Sequence, residues 1–222
     1  MKLVCFCPTR NRRRWLPGAI ACLQAQTVTD WHMLIVADGE PVHDLMPNDP
    51  RVRLLTIVDN RNWPTLGQKF NFCCENASMN GRADILCKWD DDDYSAPGRL
   101  ADQLSRLETS GKAVTGYHSM LFTDGEKWHR YRGTPDFALG TSLMFRRDWW
   151  ERHRFESLPV GSDIQFARMA AAAGQLAAVD AGQLMVASSH AGNSSPRKMT
   201  GASWEPLPNF SGVSGYEWPI AA

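Results

Sequence analysis

Residues 88–97 read KWDDDDYSAP, four consecutive aspartates in a chain whose formal net charge is zero. Like charges in contact repel, and four carboxylates cannot be buried without compensation. The run is therefore either a solvated acidic turn or a place where something positive binds. Asp90 and Asp92, at alternate positions, offer hard oxygen ligands of the kind Mg2+ and Mn2+ take. A calcium loop of the EF-hand kind is excluded, because Ser95 and Ala101 stand where it needs Gly and Glu. Two other stretches could do chemistry. SSHAGNSS (188–195) carries His190, although a lone histidine is ordinarily structural. GSDIQF (161–166) carries Asp163, although Ser and Asp also start helices well.

Alternating elements must position these groups. KLVCFC (2–7), WHMLIVA (31–37), VRLLTIV (52–58) and ADILCKW (83–89) read as buried strands, the last running straight into the aspartates. Helices are predicted over 14–25, 67–79 and 97–110, the third with Pro97 in its first turn and Gly111 at its end. This is the βαβ alternation of a parallel sheet. The second half is more mixed, with strands predicted at 113–122, 140–146 and 183–188 and helices at 148–154 and 162–173. A TDG turn and the basic-aromatic segment KWHRYRG (127–133) lie between the first two strands. The segment suits either an anionic or aromatic ligand or a solvated hairpin. Ligands of open α/β sheets bind beyond the carboxyl ends of the strands. Pro8-Thr9-Arg10-Asn11, Asp38-Gly39 and the aspartate run all fall there.

The 222 residues suffice for one sizeable core, and one domain, 1–222, is the economical reading. Lys+Arg and Asp+Glu balance at 24 each, so no global field favours nucleic acid or an anionic membrane. Arg10, Arg12, Arg13 and Arg14 remain as a local basic cluster. No apolar run approaches a membrane span, the N-terminus does not read as a signal peptide, and a cytoplasmic location is expected. The six cysteines form no CxxC pair and are expected to be free thiols.

Strand-PTRNR, strand-ADG, LGQKFN, strand-WDDDDYSAP and GSDIQF together, in this order, resemble glycosyltransferase family 2. The resemblance covers nearly the whole chain. It implies the GT-A fold, an α/β architecture with a Rossmann-like, mixed but mainly parallel sheet flanked by helices. It implies a nucleotide-binding half (1–110) and an acceptor-binding half (111–222). It also implies a nucleotide-sugar donor, with UDP preferred, a divalent metal (Mn2+ or Mg2+) on a D-x-D motif, and inversion at the anomeric carbon.

Carried over position by position, the resemblance makes Asp92 a metal ligand and Asp90 a partner of the ribose or of a metal-bound water. Asp91 joins Asp90 among the cofactor-binding candidates, although Asp91 and Asp93 are harder to place and a merely solvated role stays open for either. The loop Pro8, Thr9, Arg10, Asn11 would bind nucleotide, Asp38 would accept from the base, and Lys69 would lie near base or phosphates. His190, in H-x-x-N, becomes a metal-ligand candidate. The family's acid pair ahead of an aromatic is here Ser162-Asp163, so the first acid is missing and Asp163 is the expected general base. Trp128, Arg130, Trp149 and Trp204 are acceptor candidates, since exposed aromatics stack on sugars or bases. A divalent cation, with Lys69 nearby, would supply the positive charge the aspartates call for. Without metal the run is expected to be the most strained and mobile part of the site.

The expected activity is sugar transfer to an acceptor hydroxyl, with a saccharide preferred over a hydroxymethylated base in DNA because the chain is not basic. A sugar-phosphate nucleotidyltransferase is disfavoured because CPTRNR lacks glycine. A binding module that has lost turnover is favoured only by Ser162.

Overall fold

The computed structural model describes residues 1–57, 63–77, 83–193 and 198–216. In the first half β1 (Leu3–Thr9), α1 (Leu16–Gln24), β2 (Trp31–Asp38), β3 (Val52–Ile57), α2 (Leu66–Asn76) and β4 (Ile85–Lys88) alternate as the apolar periodicity requires. Val58, the polar loop residues 59–62 and the end of the 67–79 helix, residues 78–79, lie outside the described residues. The strands pair parallel in the order β3-β2-β1-β4. The inner strands β1 and β2 are apolar on both faces because both are covered, whereas the edge strand β3 is only partly buried. Val4 and Phe6 of β1 pack in one core with Phe70 of α2, whereas Leu3, Cys5 and Cys7 pack in another with Leu16 of α1.

Beyond β4 come β5 (Tyr94–Ser95), α3 (Arg99–Ser110), β6 (Val114–Thr123), β7 (Trp128–Arg132) and β8 (Met144–Arg146). They are followed by α4 (Arg147–Arg152), α5 (Ser162–Ala172), β9 (Leu176–Asp180), β10 (Met185–Ser188) and β11 (Trp204–Pro206). Gly111 closes α3 in the left-handed conformation, at φ 65°. The ten-residue β6 joins the halves, pairing antiparallel with β7 and β8 and parallel with β9 and β10. The full order is β11-β7-β6-β8-β4-β1-β2-β3, with β9, β10 and β5 attached off this path. Parallel pairing thus dominates the first half, and antiparallel pairs enter with the second.

KWHRYRG proves to be the hairpin strand β7, and the TDG turn leads into it. Asp124 Oδ1 accepts from the backbone N–H of Lys127 at 2.7 Å, the Asx geometry that Asp favours in turns. The 140–146 strand is shorter than expected, because Gly140–Ser142 forms a 3-10 turn ahead of β8. All six cysteines are free, and burial pushes the Cys73 thiol up to about 12, leaving it a packing residue. Among the described residues no helix is long and apolar enough to cross a membrane.

Candidate active site

β1 lies between β2 and β4, so successive crossovers leave it in opposite directions. At such a switch point the loops diverge and a crevice opens past the carboxyl ends. The loop after β1 and the aspartates after β4 form its walls. The cleft there measures about 520 Å³ and is lined by Pro8, Arg10, Asn11, Asp38, Lys69, Asp90, Asp91, Asp92 and Asp163 among others. Residues far apart in sequence thus meet in one cavity.

On the nucleotide-loop side, Asn11 has φ 54°, a left-handed conformation that asparagine tolerates better than most residues. Its side-chain oxygen accepts from the Glu40 N–H at 3.0 Å. A Cβ on Gly39 would lie 2.4 Å from that oxygen, which is why the Asp38-Gly39 turn needs glycine. Asp38 is buried and pairs with Lys69 Nζ, which also donates to the Thr9 carbonyl at 3.2 Å. Arg10 reaches Asp38 at 3.9 Å with its side chain 56% exposed. Thr9 itself is buried beneath the loop.

The aspartate run is neither solvated nor loose. Arg12 Nη1 donates to Asp91 Oδ1 at 2.8 Å and to Asp92 Oδ2 at 2.7 Å, and its Nη2 donates to the Gly192 carbonyl. Lys88 Nζ donates to both oxygens of Asp90, at 2.6 and 2.7 Å, and lies 3.4 Å from Asp163 Oδ2. Asp93 accepts from the Thr141 hydroxyl and from the Ser188 N–H. Arg99, fully buried in α3, braces the run from behind through the Lys88 and Thr141 carbonyls. Two expectations are therefore corrected. Asp91 is buried and Asp93 half-buried rather than merely wet, and Arg12 and Lys88 are the cations that pair with the run, while Lys69 pairs with Asp38. The run is pinned, not strained open.

Burial alone would raise the carboxyl of Asp92, but the His190 hydrogen bond and the Arg12 guanidinium outweigh it and hold it below its ordinary range. Burial and the neighbouring Asp92 charge push Asp91 up to about 6. Burial, Asp92 and Asp90 push Asp93 up to about 7. Burial disfavours the Lys88 ammonium, yet Asp90 and Asp163 reverse this and raise it above the usual lysine range. A carboxyl whose folded value exceeds its unfolded one binds more protons in the folded chain. The stability Asp93 contributes is thus complete below about pH 4 and lost as pH rises through about 7. The melting temperature of the ligand-free protein is expected to fall from pH 5 to pH 8, and Asp93→Asn to flatten the decline. An equal decline in that variant would refute the assignment.

His190 and Asn193 converge on the same carboxylate. His190 Nε2 lies 3.1 Å and Asn193 Nδ2 3.0 Å from Asp92 Oδ2, while Trp15 stacks on the imidazole with centroids 4.4 Å apart. Ser194 and Ser195 of that motif lie outside the described residues. The Gly192 N–H donates to His190 Nδ1 at 3.1 Å, so the ring proton sits on Nε2 and points at Asp92. The donor types suit Mn2+ or Mg2+, but their arrangement does not fit the ion as it stands. Asp92 Oδ2 already accepts from three groups, Nε2 carries a proton, and Lys88 occupies both oxygens of Asp90. Among the described residues no three His, Cys, Asp or Glu side chains converge for a metal ion.

Asp163 stands in the first turn of α5, whose entry is made by Gly161 at φ 83°. No side chain caps this helix. Ser162 is buried, its hydroxyl on the Leu158 carbonyl at 3.3 Å, so the position where an acid was missing has no access to the cleft. Asp163 instead faces the cavity, and Gly140 makes room for it, since a Cβ there would lie 2.2 Å from the carboxylate.

The aromatic candidates fare differently. Trp149 is 5% exposed and stacks on His153 at 3.7 Å, so its ring is a core residue and cannot meet an acceptor. Trp128 packs edge-on against Phe210 and Tyr216, and Trp204 against Phe122 and Tyr131. Arg130 pairs with Asp180 at 3.2 Å. Trp63, Phe70 and Phe122 line the cleft.

The switch-point cleft thus carries paired carboxylates on one wall and a third across it. The sequence profile of Glycosyl transferase family 2 matches residues 5–171, and the chain belongs to that family. No curated relative matches in sequence. Solved structures share the fold. Residues 1–349 of S. aureus TarS in complex with UDP-GlcNAc align with TM-score 0.65 and 16% identity over 87% of this chain and 60% of that one. The mannosyltransferase PcManGT from Pyrobaculum calidifontis, in complex with GDP-Man and Mn2+, gives 0.63 and 14% over 87% and 58%. The chain thus spans under two thirds of either neighbour's length, and at these identities the likeness shows the GT-A fold alone.

Proposed function

We propose that this protein transfers a sugar from a nucleotide diphosphate-sugar to an acceptor hydroxyl with inversion, Asp163 acting as general base. The observation that carries this reading is Asp163 in the same cleft as Asp90 and Asp92, tied to the donor wall through Lys88. A single-displacement inversion needs a base on the acceptor side and positive charge on the donor side, with no covalent intermediate. Asp163 takes the proton from the acceptor oxygen as that oxygen bonds to the anomeric carbon and the bond to the diphosphate breaks. Arg10, cleft-lining and largely exposed, meets the negative charge on the departing diphosphate. Asp38 and the Thr9–Asn11 loop receive the nucleoside. The first 110 residues serve the nucleotide and the remainder the acceptor.

UDP is the preferred nucleotide, because a carboxylate at Asp38 can accept from uracil N3–H, and the TarS complexes with UDP and UDP-GlcNAc support it. The neutral net charge favours a saccharide acceptor over modified DNA. The test is a thermal-shift panel of UDP, GDP and their sugars, each with and without MnCl2. UDP-sugars are expected to stabilise the chain, and MnCl2 alone to leave its melting temperature unchanged. No stabilisation by any nucleotide would refute the reading, and stabilisation by MnCl2 alone would show that the ion displaces Arg12 from Asp92.

A further inference from the structure

Lys88 is the unusual cation of this cleft. It ends β4, immediately before the aspartates, where a long side chain ordinarily runs its charge out to water. Instead it turns inward and is 3% exposed, with its ammonium 5.0 Å from the centroid of the Phe70 ring. Burying an ammonium costs several kcal/mol unless good partners surround it. Its partners are one carboxylate from each wall: Asp90, through both oxygens, and Asp163 Oδ2 at 3.4 Å.

Asp163 has little else to aim it. Among the described residues its Oδ1 accepts from the next backbone N–H, Ile164, at 2.9 Å, a contact that does not fix where Oδ2 points. Gly140 opposite supplies space rather than a hydrogen bond. Among the described residues the ion pair Asp163 makes is the one to Lys88.

We propose that Lys88 is a positioning residue, which holds the Asp163 carboxylate at a fixed distance from the donor wall by anchoring it to Asp90. This rests on the reading of Asp163 as base. Lys88 exchanges no proton in the reaction and stays an ammonium throughout. Its effect is geometric: a base displaced by about 1 Å can lose about a hundredfold in rate.

A double-mutant cycle on the full chain tests it, with UDP-sugar turnover as the readout. Lys88→Met is expected to lower kcat about a hundredfold while the donor KM changes less than about tenfold. In an Asp163→Asn background the same change is expected to alter the residual kcat by less than about twofold, because nothing is left to aim. Lys88→Arg, which keeps the charge on a bulkier head, is expected to retain more kcat than Lys88→Met. If Lys88→Met does not fold, the cycle is run with Lys88→Arg, whose smaller loss must likewise vanish in the Asp163→Asn background. Equal losses in both backgrounds, or a change in KM alone, would overturn the proposal while leaving the functional reading intact. Absence of any turnover by the unaltered chain would refute that reading and this proposal with it.

Discussion

Asp163→Asn is expected to lower kcat by about 10²–10⁴-fold, the range a positioned general base contributes. Calorimetry should show affinity for the UDP-sugar changed by less than about threefold, about 0.65 kcal/mol. The substitution is nearly isosteric. Its amide oxygen can still accept from the Ile164 N–H, and Lys88 keeps both oxygens of Asp90, so no buried charge is orphaned. The Asp163 side chain is 21% exposed, open enough to reach a substrate. Loss of donor affinity together with rate would assign Asp163 to the donor. Unchanged rate would dismiss it as the base.

Asp92→Ala should act chiefly on stability. Asp92 Oδ2 is the point on which Arg12, His190 and Asn193 converge, and the residue is 8% exposed. Removing one partner of a buried pair leaves the other charge uncompensated and costs about 3–5 kcal/mol. Arg12 retains Asp91 and the Gly192 carbonyl, which places the cost near the lower end, about 3 kcal/mol. For a chain of this size that lowers the melting temperature by about 6–12 °C. Asp92→Asn, which still accepts one hydrogen bond, should lose clearly less. Equal melting of Asp92→Ala and the unaltered chain would mean that Arg12 does not depend on this carboxylate.

The sequence made the first half legible because its parallel strands are short, largely apolar runs and α3 has Pro97 before its start and Gly111 at its end. Strand ends pointed to the cleft through topology, whereas the D-x-D pair and Asp163 as base came from the family resemblance. In the second half β5, β9 and β11 escaped. β5 has two residues, β9 reads LAAVD with an alanine pattern that mimics the helix before it, and β11 carries a proline. β7 was legible as a hairpin but equally as a ligand-binding segment, since edge strands are polar.

At the site, the partners of the aspartates were the hidden part. Arg12 looked like one member of an exposed basic cluster, yet 79 residues separate it from Asp91. Lys88 looked like the polar end of a strand. No periodicity shows that a lysine turns inward, because its stem suits either direction. Trp149 erred the opposite way. Tryptophan composition suggests ligand stacking, whereas in α4 the ring faces the core.

The central claim, single displacement driven by Asp163, is tested most directly by the anomeric configuration of the first-formed product. ¹H NMR of the anomeric proton, recorded in the first minutes of reaction with an α-linked UDP-sugar, should show β product from the unaltered chain. Asp163→Asn should give no product on that timescale. First-formed α product, or β product from Asp163→Asn at the unaltered rate, would contradict it.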